Sequence, residues 1–274
     1  MMAIAFSPAH ITGFFQIFID DDARKSGSVG AGISIGLGSY ALVKKSKTMR
    51  ISKKAAVARD AIKRFGSNFE VKIWNDLPIS QGFGISGSSA LAAAMAACQI
   101  EGLPLSKALE FAHVAEVENR TGLGDVIAAF HGGMEARLKP GIYGKIKKWV
   151  IDEKLLILVA SLPLRTKSII TDEKMVKRIN EIGEECIKEF LAKPTFDRFL
   201  DLSKKFSEES GILNKKMLEI LKDLNNTGKT AACMIGNSFF TRYSRRMKKK
   251  MVKYGRVYEA EVDNTGARIL ALIK

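Results

Sequence analysis

Residues 78–90 read Pro-Ile-Ser-Gln-Gly-Phe-Gly-Ile-Ser-Gly-Ser-Ser-Ala, and an alanine run follows at Ala90, Ala92, Ala93, Ala94, Ala96 and Ala97. A glycine and serine loop thus stands between an expected strand and an expected helix of small side chains. Few folds are built around such a junction. Glycines let the backbone approach an anion, and the free N–H groups and positive dipole end of the following helix favour negative charge. Small side chains let that helix pack closely behind whatever the loop holds. The plainer reading of the loop alone is a flexible strand-to-helix connection.

The loop nearly spells another phosphate motif. Gly82 to Ser89 runs GxxxxGSS, where a Walker A loop needs GxxxxGK[ST]. The lysine is missing. Gly228-Lys229-Thr230 fails the same test, because Asp223 stands where the first glycine belongs. Anion binding therefore rests on backbone groups, serine hydroxyls and a metal.

Polar residues in apolar settings flank this loop on both sides. Thr121-Gly122-Leu123-Gly124-Asp125-Val126 sets one acid between a glycine turn and an apolar stretch. A carboxylate at a helix start can take a proton from an attacking hydroxyl, or can merely cap the helix. Glu116 and Glu118 can hold a divalent cation, since magnesium uses one or two carboxylates and completes its shell with phosphate and water. The alternative is a solvated helix face, the expected one for Glu118. Near the amino terminus, a short apolar run from Met2 to Phe6 breaks into a turn, Ser7-Pro8-Ala9-His10-Ile11-Thr12. His10 there can donate to a substrate or phosphate oxygen, or serve as a structural histidine. Arg24 and Lys25, in the charged turn that follows Asp20-Asp21-Asp22, can meet an anionic substrate. Arg165 is a further cation of that kind.

In order and spacing these segments resemble the GHMP kinases, the superfamily of galactokinase, homoserine kinase and mevalonate kinase. Pro78 to Ala90 looks like the PxxxGLGSSA signature, and Ser7 to His10 resembles the amino-terminal substrate motif. Gly122 to Asp125 matches the catalytic-aspartate segment, and Thr227 to Asn237 occupies the place of the carboxy-terminal glycine motif. The likeness covers essentially the whole sequence. The combination of SPAHITGFF, GSVGAG, PISQGFGISGSSA, TGLGDV and MIGNSFF looks more narrowly like an archaeal branch that phosphorylates pantoate for coenzyme A synthesis.

The resemblance implies phosphoryl transfer from ATP with Mg2+. Pro78, Gly82, Gly84, Ser86, Gly87, Ser88 and Ser89 would wrap the nucleotide phosphates, with Ser89 and Glu116 on the metal. Asp125 would take the proton of the accepting hydroxyl, in pantoate the primary alcohol at C4. His10 stands where many relatives carry lysine or arginine, and with Thr12, Arg24 and Gly228 it would face the substrate. Phosphoryl transfer depends on positioning and electrostatics, so no covalent nucleophile is expected. Three departures from the pattern leave open which serine meets the metal and how the glycine motif acts. Ile85-Ser86-Gly87 reads as an insertion before the paired serines, Ala231 and Ala232 replace glycines after Gly228, and Glu116 lies close to Asp125 in sequence.

A formal charge of +15 draws anions, ATP and a carboxylate substrate among them. The rival explanation is nucleic acid, best supported by the basic segment Arg242 to Tyr254. There Phe240, Tyr243, Met247, Met251 and Tyr254 fall at spacings of three and four, which describes a packed helix with a solvated basic face rather than an RNA site. Apolar runs stop well short of the roughly 18 residues of a membrane span, and no charged segment with an apolar signal core opens the sequence. A cytoplasmic enzyme is expected, with neither nucleic acid nor membrane as partner. The oligomeric state stays open, a homodimer included. Cys98, Cys186 and Cys233 are scattered without CxxC spacing, against a disulfide framework or a zinc site. His113 and His131 read as structural.

Strands are expected near Ile4, over Val29 to Gly36, Tyr40 to Lys45 and Phe69 to Trp74, with helices from Ser88 and Leu105. Lys139 to Lys148 reads as a turn-rich crossing, giving units 1–148 and 149–274. Strands and helices in both halves mean an α+β fold. The family resemblance implies a ribosomal-protein-like amino-terminal domain beside a ferredoxin-like carboxy-terminal one. The rivals are kinases of the same fold acting on homoserine, mevalonate or shikimate, and a non-catalytic basic protein that binds nucleotide or RNA.

Overall fold

The computed structural model describes residues 1–160 and 172–273. Arg165 lies outside the described residues. Two long strands, β1 (Met2–Phe18) and β2 (Gly27–Lys45), pair antiparallel at the centre of the first sheet. The turn expected at Ser7 to Thr12 is absent: β1 runs straight through it. Its register shifts between Pro8 and Ala9 and again between Thr12 and Phe14. A bulge tolerates the missing proline N–H and bends the strand without ending it. The two strands expected at 29–36 and 40–45 are likewise one continuous β2.

Strand β3 (Phe69–Asn75) pairs with the far half of β2, while β4 (Met134–Arg137) and β5 (Ile146–Trp149) extend the sheet from its near half. The final strand, β10 (Arg268–Ile273), closes the opposite side by pairing with β1. The sequence therefore leaves the first sheet after β5 and returns to it at its end. Four helices accompany this sheet: α1 (Ala56–Lys63), α2 (Ile85–Glu101), α3 (Leu105–Glu118) and α4 (Asp125–His131). Helix α2 is apolar all round because it lies between the sheet and its neighbours α1 and α3, with Ala90 to Ala97 fully buried. It ends at Gly102, whose left-handed φ of 68° closes the helix, and Pro104 starts the next.

The second sheet holds β6 (Lys154–Val159), β7 (Ala231–Ala232), β8 (Ser238–Arg242) and β9 (Arg256–Glu261), in the order β7-β8-β6-β9 and antiparallel throughout. With helical crossovers between β6 and β7 and between β8 and β9, this is the ferredoxin-like arrangement. Its helices are α5 (Glu173–Ala192), α6 (Phe196–Glu209), α7 (Lys215–Asn225) and α8 (Arg245–Met251). Asp172, Thr195, Asn214 and Ser244 each accept a hydrogen bond from the N–H three residues on, a cap worth about 1 kcal/mol apiece. Helix α8 is the basic one. Met247 and Met251 point inward, while Lys248 pairs with Glu259 at 2.7 Å and Lys250 with Asp223 at 2.5 Å. Two of its five basic residues are thus matched by acids of this chain, while Arg245, Arg246 and Lys249 are exposed.

A single apolar core joins the halves, running from Phe14 and Ile33 in the first sheet to Phe199, Phe240 and Leu156 beneath the second. Backbone bridges from Thr12 to Met234 and from Ile35 to Val262 tie the sheets directly. Among the described residues, no helix is long and apolar enough to cross a membrane.

Candidate active site

Helix α2 begins at Ile85, with Gly84 left-handed at φ 59° before it. Ile85-Ser86-Gly87, which reads as an inserted loop, is therefore the first turn of the helix. Its first internal bond runs from the Ser88 N–H to the Gly84 carbonyl at 2.8 Å. The N–H groups ahead of Ser88 have no partner within the helix and are free to meet an anion. The paired serines lie deeper. Ser88 donates to the Ser7 carbonyl at 2.7 Å, and Ser89 donates to Asn75 Oδ1 at 3.1 Å beside the Ser39 hydroxyl.

A cavity opens in front of this turn. Its walls come from Thr12, Phe15, Ile17 and Ser28 on the first hairpin, from the loop Gly82 to Gly87, and from Glu116 and Thr121 to Asp125. Met234 and Ile235 of the second half close it. Asp125 is the first residue of α4, and His10 Nδ1 donates to its Oδ1 at 2.8 Å. The Thr12 hydroxyl approaches the same oxygen at 3.5 Å. On the other side of the ring, His10 Nε2 donates to Glu135 Oε1 at 3.1 Å. Arg137 pairs with that same Glu135 oxygen, and its Nε donates to the Ser28 hydroxyl at 3.3 Å. His10, Glu135 and Arg137 are all buried.

Burial alone would drive His10 toward the neutral form. The hydrogen bonds and charges of Asp125 and Glu135 outweigh it and hold the imidazole above its ordinary value. The His10 ring thus lies between the carboxyl groups of Asp125 and Glu135, both of which favour its protonated form. Gly32 makes this possible: it faces the ring from β2, and a methyl group there would overlap His10 Nε2.

Glu116 is 1% exposed, and one of its carboxylate oxygens has no hydrogen-bond partner. Burial first, and the charge of Asp125 second, push its carboxyl well above the usual range. Gly87 and Gly122 press against it, and a Cβ on Gly122 would come within 2.6 Å of Glu116 Oε1. A buried carboxylate with an unmet oxygen, beside the free end of a helix, fits a hard divalent cation held together with phosphate. Among the described residues no group of three His, Cys, Asp or Glu side chains is arranged to hold a metal ion on its own. The remaining ligands would thus be phosphate, hydroxyl and water. Glu118 points elsewhere, half exposed and paired with Arg64.

Ser86 shares the cavity with Glu116, whereas Ser89 opens onto a neighbouring cleft. That cleft touches the cavity at Ser86 and Thr121. Its walls are Val57, Val71, Ile73 and Ile79, with Asn75, Ser52 and Lys54 as polar groups. An apolar slot with a few polar edges suits a planar heterocycle. Pro78 is exposed and does not line the cavity. Arg24 stays in the exposed hairpin turn, where its guanidinium is taken by Asp22 at 2.8 Å. Lys25 is exposed in the same turn and outside the cavity. Gly228 follows α7 and faces the Met247 methyl, so Met234 and Ile235, further along the same motif, are the residues that reach the cavity.

Glu135 and Arg137 escape the sequence reading. Their signal is faint: two charges at alternate positions of a four-residue strand after Gly132-Gly133, which puts both on one face. Only the pairing of β4 with β2, Glu135 opposite Gly32 and Arg137 opposite Gly30, shows that this face is buried.

A helix start free to hold phosphate, a hydrogen-bonded carboxylate facing a small cavity and an apolar slot alongside define a class, the small-molecule kinases. Residues 50–133 match the GHMP kinases N terminal domain, and the chain belongs to the GHMP kinases. It is 37% identical over 86% of its length to the pantoate kinase of Methanocaldococcus jannaschii, covering 90% of that protein. With the pantoate kinase of Thermococcus kodakarensis it shares 31% identity over 86% of its length and 85% of the relative. A solved structure described as a phosphotransferase related to the CoA biosynthesis pathway superposes with a TM-score of 0.86 at 26% identity, over 98% of both chains. Within the GHMP kinases, then, the chain falls in the pantoate kinase family.

Proposed function

We propose that the chain transfers the γ-phosphoryl group of ATP to the C4 hydroxyl of D-pantoate, giving 4-phosphopantoate for coenzyme A biosynthesis. The observation that carries this is the Asp125 carboxylate, held by His10 on the wall of a cavity that also contains Glu116 and the free end of α2. Asp125 accepts the proton of the attacking hydroxyl. The His10 imidazolium beside it offsets the charge that builds on the alkoxide.

The nucleotide base fits the slot between Val57 and Ile73, and its phosphates reach the N–H groups of Ser86 and Gly87. Glu116, with the Ser86 hydroxyl, would hold Mg2+ there, and when bound the metal neutralises charge on the phosphate oxygens. Phe15, Ile17, Leu123 and Met234 give the cavity an apolar end that suits the dimethyl-substituted carbon of pantoate. Arg137 stands behind Ser28 with one NH2 group unpartnered among the described residues, and is the cation assigned here to the substrate carboxylate.

Replacing Asp125 with asparagine removes the proton acceptor and keeps the shape. Pantoate turnover should fall by about 10²- to 10⁴-fold, while equilibrium binding of MgATP stays close to wild type. Wild-type turnover in that variant would remove Asp125 from the role of base.

A further inference from the structure

One carboxylate oxygen meets two buried side chains that each lead to the cavity wall. Glu135 Oε1 accepts from His10 Nε2 at 3.1 Å and pairs with the Arg137 guanidinium, while Glu135 Oε2 meets no partner at all. His10 leads to Asp125, and Arg137 leads to Ser28 on the cavity wall. Glu135 itself is fully buried on β4 and does not line the cavity. We propose that Glu135 is a positioning residue that, through this shared oxygen, fixes the His10 ring against the base and the Arg137 guanidinium against the acid-binding end together. The inference rests on the kinase reading for its catalytic consequence, and on contacts alone for the positioning.

The geometry argues for this in three ways. His10 can cross β2 to reach Glu135 only because Gly32 has no side chain. A Cβ at Gly124 would lie 2.8 Å from Arg137 Nε, so a second glycine keeps room for the other arm. Charges around the ring are few. Asp125 faces it from α4, Glu135 and Arg137 from β4, and β2 contributes only Gly32 and Ser34. Glu116 of α3 acts from behind Asp125, and His131 at the end of α4 senses Glu135 from the far side. Among the described residues, Glu135 is thus the one acid that touches both His10 and the buried guanidinium. A carboxylate in this position fixes ring orientation and holds the second ring proton, as an orienting acid does behind a catalytic histidine.

The test uses the whole chain and reads His10 directly. With only three histidines in the sequence, ring-nitrogen NMR resolves each, and burial keeps His113 and His131 below the ordinary histidine range. In the wild type, His10 should carry protons on both ring nitrogens through neutral pH. In Glu135→Gln it should lose the Nε2 proton and titrate at lower pH. The alkaline limb of kcat should move to lower pH with it, kcat should drop about tenfold or more, and KM should rise for pantoate but not for ATP.

A neutral His10 in the wild type at neutral pH would overturn the inference, whether or not the variant folds. So would a Glu135→Gln enzyme with unchanged His10 titration and pH profile. Glu135→Asp, one methylene shorter, keeps the charge, and partial recovery of the His10 signal in it is the expected result. Should the wild type fail to phosphorylate pantoate, the substrate reading fails while the ring-nitrogen spectra still decide the positioning.

Discussion

Burial opposes a charge on His10 and its two carboxyl neighbours favour one, and the balance can be read as stability. The folded pKa of His10 lies above the ordinary 6.5, so the folded chain holds a proton that the unfolded chain releases as pH rises. The stabilisation is complete below about pH 6.5 and is lost as pH climbs through the folded value. Urea unfolding of wild type and His10→Gln should therefore differ more at about pH 6 than at about pH 9. An equal gap at both would show that His10 is not held as a cation. Single residues were legible from sequence where a motif marks them: Asp125 after its glycine turn, Glu116 upstream, His10 amid apolar neighbours. Glu135 and Arg137 were not, because what links them to the site is a partner 125 residues away in one case and a buried strand face in the other. Arg24, read from its charge as facing the substrate, lies in an exposed turn and pairs there with Asp22.

Among the elements, α2 does two jobs: its alanine body lets sheet and helices close around it, and its first turn faces the cavity. Gly87 sits in that turn with an ordinary φ, so its need is for space and not for backbone freedom. A methyl group there would overlap Glu116 Oε1 and come within 2.9 Å of a Val126 methyl. Gly87→Ala should displace Glu116, raising the Mg2+ concentration for half-maximal turnover by about tenfold or more in a chain that still folds. Gly36→Ala, whose added carbon would stand 3.6 Å from its nearest neighbour, is the control. Equal Mg2+ dependence in the two variants would argue against Glu116 as a ligand. The helix and the α+β class could be read from periodicity and glycine punctuation, while the pairing of a ribosomal-protein-like unit with a ferredoxin-like one came from the family resemblance. The length of β1 could not. Pro8 and the polar residues after it imitate a turn, and only pairing along the whole of β2 shows that bulges absorb them. The first turn of α2 hid in the same way, because Gly84 and Gly87 look like loop residues when their neighbours are unknown.

At the scale of the molecule, the cavity draws Thr12 and Asp125 from one half and Met234 and Ile235 from the other. The shared core and the return of β10 to the first sheet hold those halves in register. A formal net charge of +15 favours the approach of anions such as ATP and a hydroxy acid. The chemistry at the centre then depends on which alcohol the apolar end admits. The most direct measurement is ADP release with Mg2+ and ATP against D-pantoate, pantothenate, homoserine, mevalonate and shikimate, with mass detection of the phosphorylated product. Turnover confined to D-pantoate, with the phosphate on C4, is the predicted result. Turnover on another alcohol and none on pantoate would contradict it, and so would bound ATP with no product from any of them.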